Sequence, residues 1–237
     1  MTTFASKAIA YYNALAAPAN LPPDIGVLNP YPQPAVQAIV NEFYTNFFSD
    51  TAPRVFVLGI NPGRFGAGVT GISFTTPQNL RRYCGIANDL RDTPELSSRF
   101  IYQVVEAFGG AKAFYSQFFL TSLFPLALTK NGPARNGKSG GPKNYNFYDD
   151  RVTTEALWPA ITETVRTQID FGCNRSVAVC LGRKNETYLR RLNEQQGFFD
   201  RILTLDHPRY ILQYKSKDIA MYLDRYMATL HECVESA

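Results

Sequence analysis

Residues 54–74 read RVFVLGINPGRFGAGVTGISF and join an apolar run to a glycine-rich turn. The run from Val55 to Leu58 is continuous, which is typical of a strand buried on both faces of a parallel sheet. The turn after it carries Asn61, Pro62 and several glycines, and glycine lets a ligand come close to the main chain. We therefore predict a strand of an open α/β sheet that ends in a pocket for a small or flat ligand.

Three further apolar runs have the character of buried strands. The four predicted strands are residues 54–58, 118–121, 177–181 and 202–205. Helical patterns separate them, including residues 153–170 and 184–196, and Gly197 stands where a C-cap would close the second helix. This alternation predicts an α/β fold, a three-layer α/β/α sandwich with a central, mainly parallel four-stranded sheet.

The remaining segments are a helical N-terminus and one long polar stretch. We predict helix over much of residues 1–50, interrupted by an extended, proline-rich connector at residues 18–34. Residues 129–150 are predicted to be irregular and are too long for an ordinary connection, so they form either a functional or a mobile loop. With 237 residues and 45% hydrophobic content, we expect one domain over residues 1–237.

Charge and cysteine content narrow the classes of function. The net charge of +4 and the sequence pI near 8.8 permit a nucleic-acid partner without demanding one. The four cysteines form no C-x-x-C pair, which argues against a zinc site, an iron–sulfur cluster or a disulfide framework and favours buried thiols. No run is long enough to span a membrane, and the first residues lack a signal-peptide pattern. We expect a cytoplasmic protein with no metal and no membrane partner.

Polar residues directly follow three of the predicted strands. Asn61 follows the first, Ser122 the second, and Asp206-His207-Pro208 the fourth. Because the carboxyl ends of parallel strands meet at one edge of a sheet, these groups are predicted to converge where such folds bind ligands. Taken singly, an asparagine in a turn or a lone histidine is more often structural. As a set they favour a site.

The same residues carry a resemblance to a known family. The segment GINPGRFGAGVTGISF, residues 59–74, resembles the first motif of the single-strand-selective monofunctional uracil-DNA glycosylases, a branch of the uracil-DNA glycosylase superfamily. DHPRY at residues 206–210 is similar to the second motif of that branch. Residues 119–126 and 177–183 resemble its central strand and its third motif. The similarity spans about residues 54–215.

The resemblance implies a DNA glycosylase that initiates base excision repair without a metal or organic cofactor. Such an enzyme flips a deaminated or oxidised base, such as uracil, out of single- or double-stranded DNA and hydrolyses its N-glycosidic bond. It would be a monomer in the cytoplasm, associated with the bacterial nucleoid during repair. By position, Asn61 holds the attacking water and His207 stabilises the leaving base anion. The implied base-binding residues are Gly59, Ile60, Gly63, Phe74 and Ser122.

Two departures from the family pattern concern DNA contact and base identity. After His-Pro the family continues with Ser-Pro, whereas this chain has Arg209, Tyr210 and Ile211, which become the candidate residues for a wedge in the duplex. Ser122 stands where the family has an asparagine that reads the pyrimidine edge. Base identity is therefore open, and the missing readout could come from backbone groups or from the loop with Asn144 and Asn146.

Basic residues near the predicted turns could neutralise DNA phosphates. We select Arg183 and Lys215, whose neighbourhoods lie at the edge of the predicted site. Scattered basic residues more often belong to the solvated surface, and we interpret the other candidates in this way. They are Arg64, Lys138, Lys143, Lys184, Arg209 and Lys217. Two rival functions remain at this stage. A catalytically silent DNA- or nucleobase-binding module is open, whereas a nucleotide-phosphate enzyme is disfavoured because the first turn lacks a phosphate-binding glycine pattern.

Overall fold

The computed structural model describes residues 2–132 and 140–235 of the chain. Its strands are β1 (Ile25–Leu28), β2 (Arg54–Gly59), β3 (Phe118–Ser122), β4 (Ala127–Asn131), β5 (Pro142–Tyr145), β6 (Cys173–Leu181) and β7 (Arg201–Leu205). Its helices are α1 (Phe4–Ala14), α2 (Pro34–Phe47), α3 (Ala67–Thr70), α4 (Pro77–Tyr83), α5 (Leu96–Ala107), α6 (Ala111–Gln117), α7 (Arg151–Gly172), α8 (Arg183–Gln196), α9 (Pro208–Tyr214) and α10 (Ile219–Glu235). Short 3-10 helices lie at Phe147–Asp149 and Ser216–Asp218.

The central sheet has four parallel strands in the order β3-β2-β6-β7. Gly59 pairs with Ser122, Leu58 with Cys180, and the last residues of β6 and β7 pair with each other. This register aligns the carboxyl ends of the strands along one edge of the sheet. The prediction of the four strands is confirmed. Strand β6 begins four residues before its apolar run, and these residues are mostly polar because they are only partly buried or exposed.

Helices cover both faces of the sheet. The connections from β3 to β6 and from β6 to β7 cross the sheet in the same direction, so right-handed crossovers place α7 and α8 on one face. The connection from β2 to β3 runs the opposite way and places α5 on the other face, where Phe100 packs edge-on against Tyr226 of α10. On the first face, Phe4 of α1 contacts Phe171 of α7 and Phe119 of β3. The three-layer sandwich is thereby confirmed, as are the helices predicted at residues 153–170 and 184–196.

A second sheet adds a strand to the predicted extended connector and corrects the prediction for residues 129–150. Strands β1, β4 and β5 form an antiparallel sheet in that order. The connector at residues 18–34 therefore contains a strand, and residues 129–150 contain the end of β4, all of β5 and a 3-10 helix, so the prediction of an irregular segment is wrong where the structure describes it. Residues 133–139 lie outside the described ranges. The sequence PKNY of β5 has no apolar alternation, and its strand forms because it pairs with β4.

The cysteines are free thiols, with Cys84, Cys180 and Cys233 buried and Cys173 partly exposed. Burial raises the pKa of the Cys84 thiol to about 11. Within residues 2–132 and 140–235, no group of histidine, cysteine, aspartate or glutamate side chains is placed to hold a metal ion. The helices in those ranges are all too short or too polar to cross a membrane.

Candidate active site

A cavity of about 370 Å³ opens at the carboxyl edge of the central sheet. This volume is near the lower end of the range for small-molecule sites. The strand ends contribute one side of it, which we call the first wall and define by Asn61, Phe74, Ser122 and His207. Glu95, before α5, and Asn144 and Asn146, at the end of β5, contribute the second wall. The register of the parallel strands thus brings together the three turns that the sequence singled out.

Phe74 lies against the end of β2. A Cβ atom on Gly59 would lie 2.8 Å from Cζ of Phe74 and 3.4 Å from Oγ of Ser122, so the aromatic ring needs a glycine there. Phe74 has a φ of 54°, the one positive value among the non-glycine residues that the structure describes. Such a left-handed conformation costs about 1–3 kcal/mol for a residue with a side chain. That strain is retained where the ring forms a face of the cavity, as expected for a side chain held for stacking on a ligand.

Asn61 is fixed by the segment that follows β5. Its Nδ2 donates to the carbonyls of Tyr145 at 3.0 Å and Pro62 at 3.3 Å, and its Oδ1 accepts from the Phe147 amide at 3.2 Å. The opposite orientation of the amide would set its oxygen against two carbonyl oxygens. Both Nδ2 hydrogens are therefore engaged, and Oδ1 keeps one acceptor position. Asn61 can accordingly accept a hydrogen bond from a molecule in the cavity.

His207 is the N-cap of α9 and its protonation is set by its surroundings. Nδ1 accepts the Arg209 amide hydrogen at 3.1 Å, so in the neutral imidazole the proton is on Nε2. Burial, with a smaller contribution from the Arg209 charge, lowers the pKa of His207 from 6.5 to about 4. The imidazole is thus neutral near pH 7 and offers an Nε2–H donor. Its ring centre lies 6.4 Å from that of Phe74.

The other residues predicted to bind the base are also at the cavity. Ile60 and Gly63 line it, and Ser122 lines it at the end of β3 with 3% of its surface exposed. Gly59 lies beneath Phe74. A hydroxyl at residue 122 is smaller than an amide and donates one hydrogen bond.

Glu95 is a cavity residue that the sequence did not indicate. Its Oε2 atom is buried and has no hydrogen-bond partner among the described residues. Burial raises the pKa of its carboxyl group to about 7, and the Arg209 charge opposes that shift. No local pattern could have revealed it, because Glu95 precedes α5 without making a capping hydrogen bond.

The rim of the cavity carries exposed aromatic and basic side chains. Arg209 and Tyr210 line the cavity, with Tyr210 41% exposed, and Tyr214 lies beside it with ring centres 5.7 Å apart. Tyr214, 66% exposed, was not indicated by the sequence. Ile211 is fully buried, so the prediction that it belongs to a wedge is wrong: that face of α9 packs into the core.

Arg183 and Lys215 line an adjoining cavity rather than the first one. That space, about 670 Å³, lies against the N-terminus of α8 and shares His207 and Tyr210 with the first cavity. The Arg183 side chain is 82% exposed, and its Nε lies 3.8 Å from Oδ1 of Asp206. Arg64 donates to the Pro142 carbonyl, and Lys184 lies over the Tyr148 ring. Lys138 lies outside the described residues.

Comparisons with known proteins agree on one family. The family model described as the uracil DNA glycosylase superfamily matches residues 45–231. A crystal structure of wild-type SMUG2 from Pedobacter heparinus superposes with a TM-score of 0.92 and 41% sequence identity, covering 100% of both chains. A search of curated proteins gave no match. The matched family region includes all of the first wall and both residues of the adjoining cavity selected above.

Proposed function

Because the chain belongs to the uracil-DNA glycosylase superfamily, we propose that it is a monofunctional DNA glycosylase that hydrolyses the N-glycosidic bond of a deaminated or oxidised base. One observation carries the proposal. A single cavity holds an amide oxygen with a free acceptor position, on Asn61, and a neutral imidazole with an Nε2–H donor, on His207. These are the two groups that hydrolysis of such a bond requires.

The chemistry assigns a role to each group. When the bond from C1′ to the base breaks, both electrons leave with the base, which becomes an anion, and the sugar becomes cation-like. A preorganised donor such as His207 Nε2–H stabilises the developing charge on the base oxygen by roughly 2.7–4 kcal/mol. Asn61 orients the water that adds to C1′, and the proton that this water loses on bond formation passes, through solvent, to the base anion, so that sugar hydroxyl and neutral base are released. An amide is too weak a base to ionise that water, but a cation-like centre needs little activation of its nucleophile.

DNA binding requires the target nucleotide to leave the base stack. Extrusion costs a few kcal/mol, and stacking of the base on Phe74 offsets part of it. We assign to Arg209 and Tyr210, which line the cavity at its rim, the role of filling the space that the base vacates; their position and the exposure of Tyr210 support this. Arg183 and Lys215 in the adjoining cavity bind backbone phosphates, helped by the amide groups at the N-terminus of α8. We further propose that the chain is a single domain and acts as a monomer.

The substrate range is broader than uracil alone. Ser122 fills less of the cavity than an asparagine would, which leaves room for a larger deaminated base such as xanthine or hypoxanthine. Gly63 tolerates a substituent at C5 of a pyrimidine, as in 5-hydroxymethyluracil.

A cleavage assay tests the proposed function directly. Oligonucleotides with one uracil, single-stranded and in duplex, are incubated with the protein, and abasic sites are revealed by alkaline cleavage. We expect strand breaks at the uracil position, and loss of these breaks in the Asn61→Ala variant. Binding of uracil-containing DNA without release of any tested base would instead identify a silent binding module of the same fold.

A further inference from the structure

The second wall holds a donor and an acceptor that the chemistry of bond cleavage does not use. A Cβ atom on Gly63 would lie 3.2 Å from Oε1 of Glu95 and 3.4 Å from Nδ2 of Asn144. The carboxyl oxygen Oε1 and the amide nitrogen therefore converge on one point beside Gly63, on the side of the cavity where Asn144 is exposed. Both side chains line that cavity, and no hydrogen bond joins them in the described structure.

Asn144 is oriented so that it can donate. Its Oδ1 accepts the amide hydrogen of Arg64 at 3.1 Å, which fixes the plane of the side-chain amide and leaves Nδ2 on the other side. Among the described residues, Nδ2 makes no hydrogen bond. Asn144 thus presents N–H groups to a molecule in the cavity.

Glu95 is placed so that it can accept. A Cβ atom on Gly66 would lie only 2.1 Å from Oε2, so the carboxyl group fits because residue 66 has no side chain. The buried Oε2 atom lacks a partner in the described chain, and an unpaired buried polar group costs about 1–3 kcal/mol. Burial without a hydrogen-bond partner also disfavours the charged carboxylate, so the pKa of Glu95 is raised to about 7. Oε1, the other oxygen of the same carboxyl group, is the one near Gly63 and Asn144 Nδ2, and it is the atom placed to accept from a ligand N–H.

We propose that Asn144 and Glu95 together read the edge of the flipped base, Asn144 donating to a ring carbonyl oxygen and Glu95 accepting from the neighbouring ring N–H. This inference rests on the proposed function. A carbonyl beside an N–H occurs in uracil, xanthine and hypoxanthine. Cytosine and adenine carry the opposite arrangement, an amino group beside a bare ring nitrogen; with Glu95 ionised, above its pKa of about 7, they would set donor against donor and acceptor against acceptor. The pair therefore distinguishes uracil from cytosine and hypoxanthine from adenine, and supplies the readout that Ser122 lacks; guanine and thymine, like xanthine, present a carbonyl beside an N–H and are not separated by this contact.

At pH 8, where Glu95 is mostly ionised, the test inverts the pair without changing the net charge. In the double variant Asn144→Asp/Glu95→Gln, the donor becomes an acceptor and the acceptor gains a donor, while a carboxylate oxygen can still bind the Arg64 amide. The ligands are single strands with one 2′-fluoro-2′-deoxyuridine or one 2′-fluoro-2′-deoxycytidine, whose fluorine blocks bond cleavage so that affinity alone is measured. Glu106→Gln, an exposed position on α5, is the matched control.

We expect the wild type and Glu106→Gln to bind the fluorouridine strand more tightly than the fluorocytidine strand. The double variant should lose at least about 10-fold of that preference or reverse it. The single variants Asn144→Ala and Glu95→Ala should each lower this preference by about 10-fold. If the double variant does not fold, these two variants test the proposed role of the pair instead. Equal affinity of the wild type for the two strands, or a preference unchanged in the folded variants, overturns the inference. A wild type that shows the preference but releases no base refutes the proposed function and leaves this inference standing.

Discussion

The two walls of the cavity differ in how completely their polar groups are satisfied. In the first wall, Asn61 and His207 are held by backbone hydrogen bonds, and each keeps one group for the cavity. In the second wall, Glu95 has a buried oxygen with no partner in the described chain. In the proposed roles, the groups for bond cleavage are fixed in advance, whereas the Glu95 carboxyl oxygen beside Asn144 gains a hydrogen-bond partner when the base binds. The contrast separates catalysis from recognition and can be tested wall by wall.

The largest effect is expected at Asn61. Asn61→Ala removes the acceptor that orients the water, so single-turnover base release should fall by about 10²–10⁴-fold. Affinity for uracil-containing DNA should stay within a few-fold of the wild type, because Asn61 is assigned to water and not to phosphate. Asn13→Ala, an exposed position on α1, controls for the substitution itself. Turnover at the wild-type rate would remove Asn61 from the mechanism.

His207→Ala should slow single-turnover cleavage by about 10²–10³-fold, the loss typical for one oxyanion donor. Because the pKa of His207 is lowered to about 4, the imidazole stays neutral across the ordinary pH range. The ratio of wild-type to variant rates should therefore be constant between pH 5.5 and pH 8. A ratio that rises about 10-fold between pH 8 and pH 5.5 would show that a charged imidazolium is the active form. A defect in DNA affinity alone would assign His207 to DNA contact.

The first wall could be predicted from sequence because its signals are local. Each of its polar groups follows a continuous apolar run or belongs to the glycine-rich turn, and the parallel register then makes them neighbours. The same continuous runs explain why the central sheet and the helices α7 and α8 were predicted correctly. The resemblance to the family added roles for these residues.

The second wall could not be predicted because it depends on contacts distant in sequence. Strand β5 is short and polar and exists through its pairing with β4. Glu95 reaches the cavity only where Gly63 and Gly66, about 30 residues earlier, leave space for its carboxyl group. The burial of Ile211 likewise follows from how α9 packs, which the motif at residues 206–210 does not reveal.

The unsatisfied carboxyl group in the second wall should reduce stability at high pH. A raised pKa means that Glu95 contributes stability while protonated; that contribution is complete below the unfolded pKa, about 4.3, and is lost as pH rises through about 7. Among the described residues, the charge of Arg209 opposes this shift, and His207 of the same cavity is neutral near pH 7. We expect Glu95→Gln to unfold like the wild type near pH 4 and to be more stable by about 2–3 kcal/mol above pH 8.

Urea denaturation at pH 4, 6 and 8.5 measures this difference, with Glu106→Gln as the control for loss of an exposed carboxylate. A difference that stays constant with pH would mean that the Glu95 carboxyl is solvated and titrates normally. The variant would then give no support to the contrast between the walls.

Substitutions of Ser122 test whether a residue of the first wall can also contribute to base recognition. The wild type should act on uracil and on at least one of 5-hydroxymethyluracil, xanthine and hypoxanthine. Ser122→Asn adds a donor and an acceptor and reduces the volume, so the preference for uracil in kcat/KM should rise by about 10-fold. Ser122→Ala separates volume from hydrogen bonding. Strict uracil activity that Ser122→Asn leaves unchanged would place recognition entirely elsewhere in the cavity.

The smallest effects are expected outside both walls, at the phosphate-binding residues of the adjoining cavity. Arg183 and Lys215 are assigned to the DNA backbone, whose neutralisation releases counterions and makes affinity depend on salt. Arg183→Ala and Lys215→Ala should each weaken binding to every DNA sequence by a similar factor and lower the slope of log affinity against log salt by about 1. Lys112→Ala, exposed on α6 at the amino end of β3, should leave the slope unchanged. Because neither residue touches the base, the ratio of uracil to cytosine affinity should stay constant in both variants while the absolute affinity falls. A slope equal to that of the wild type would return Arg183 and Lys215 to the solvated surface, and a changed base ratio would show that the adjoining cavity is coupled to recognition.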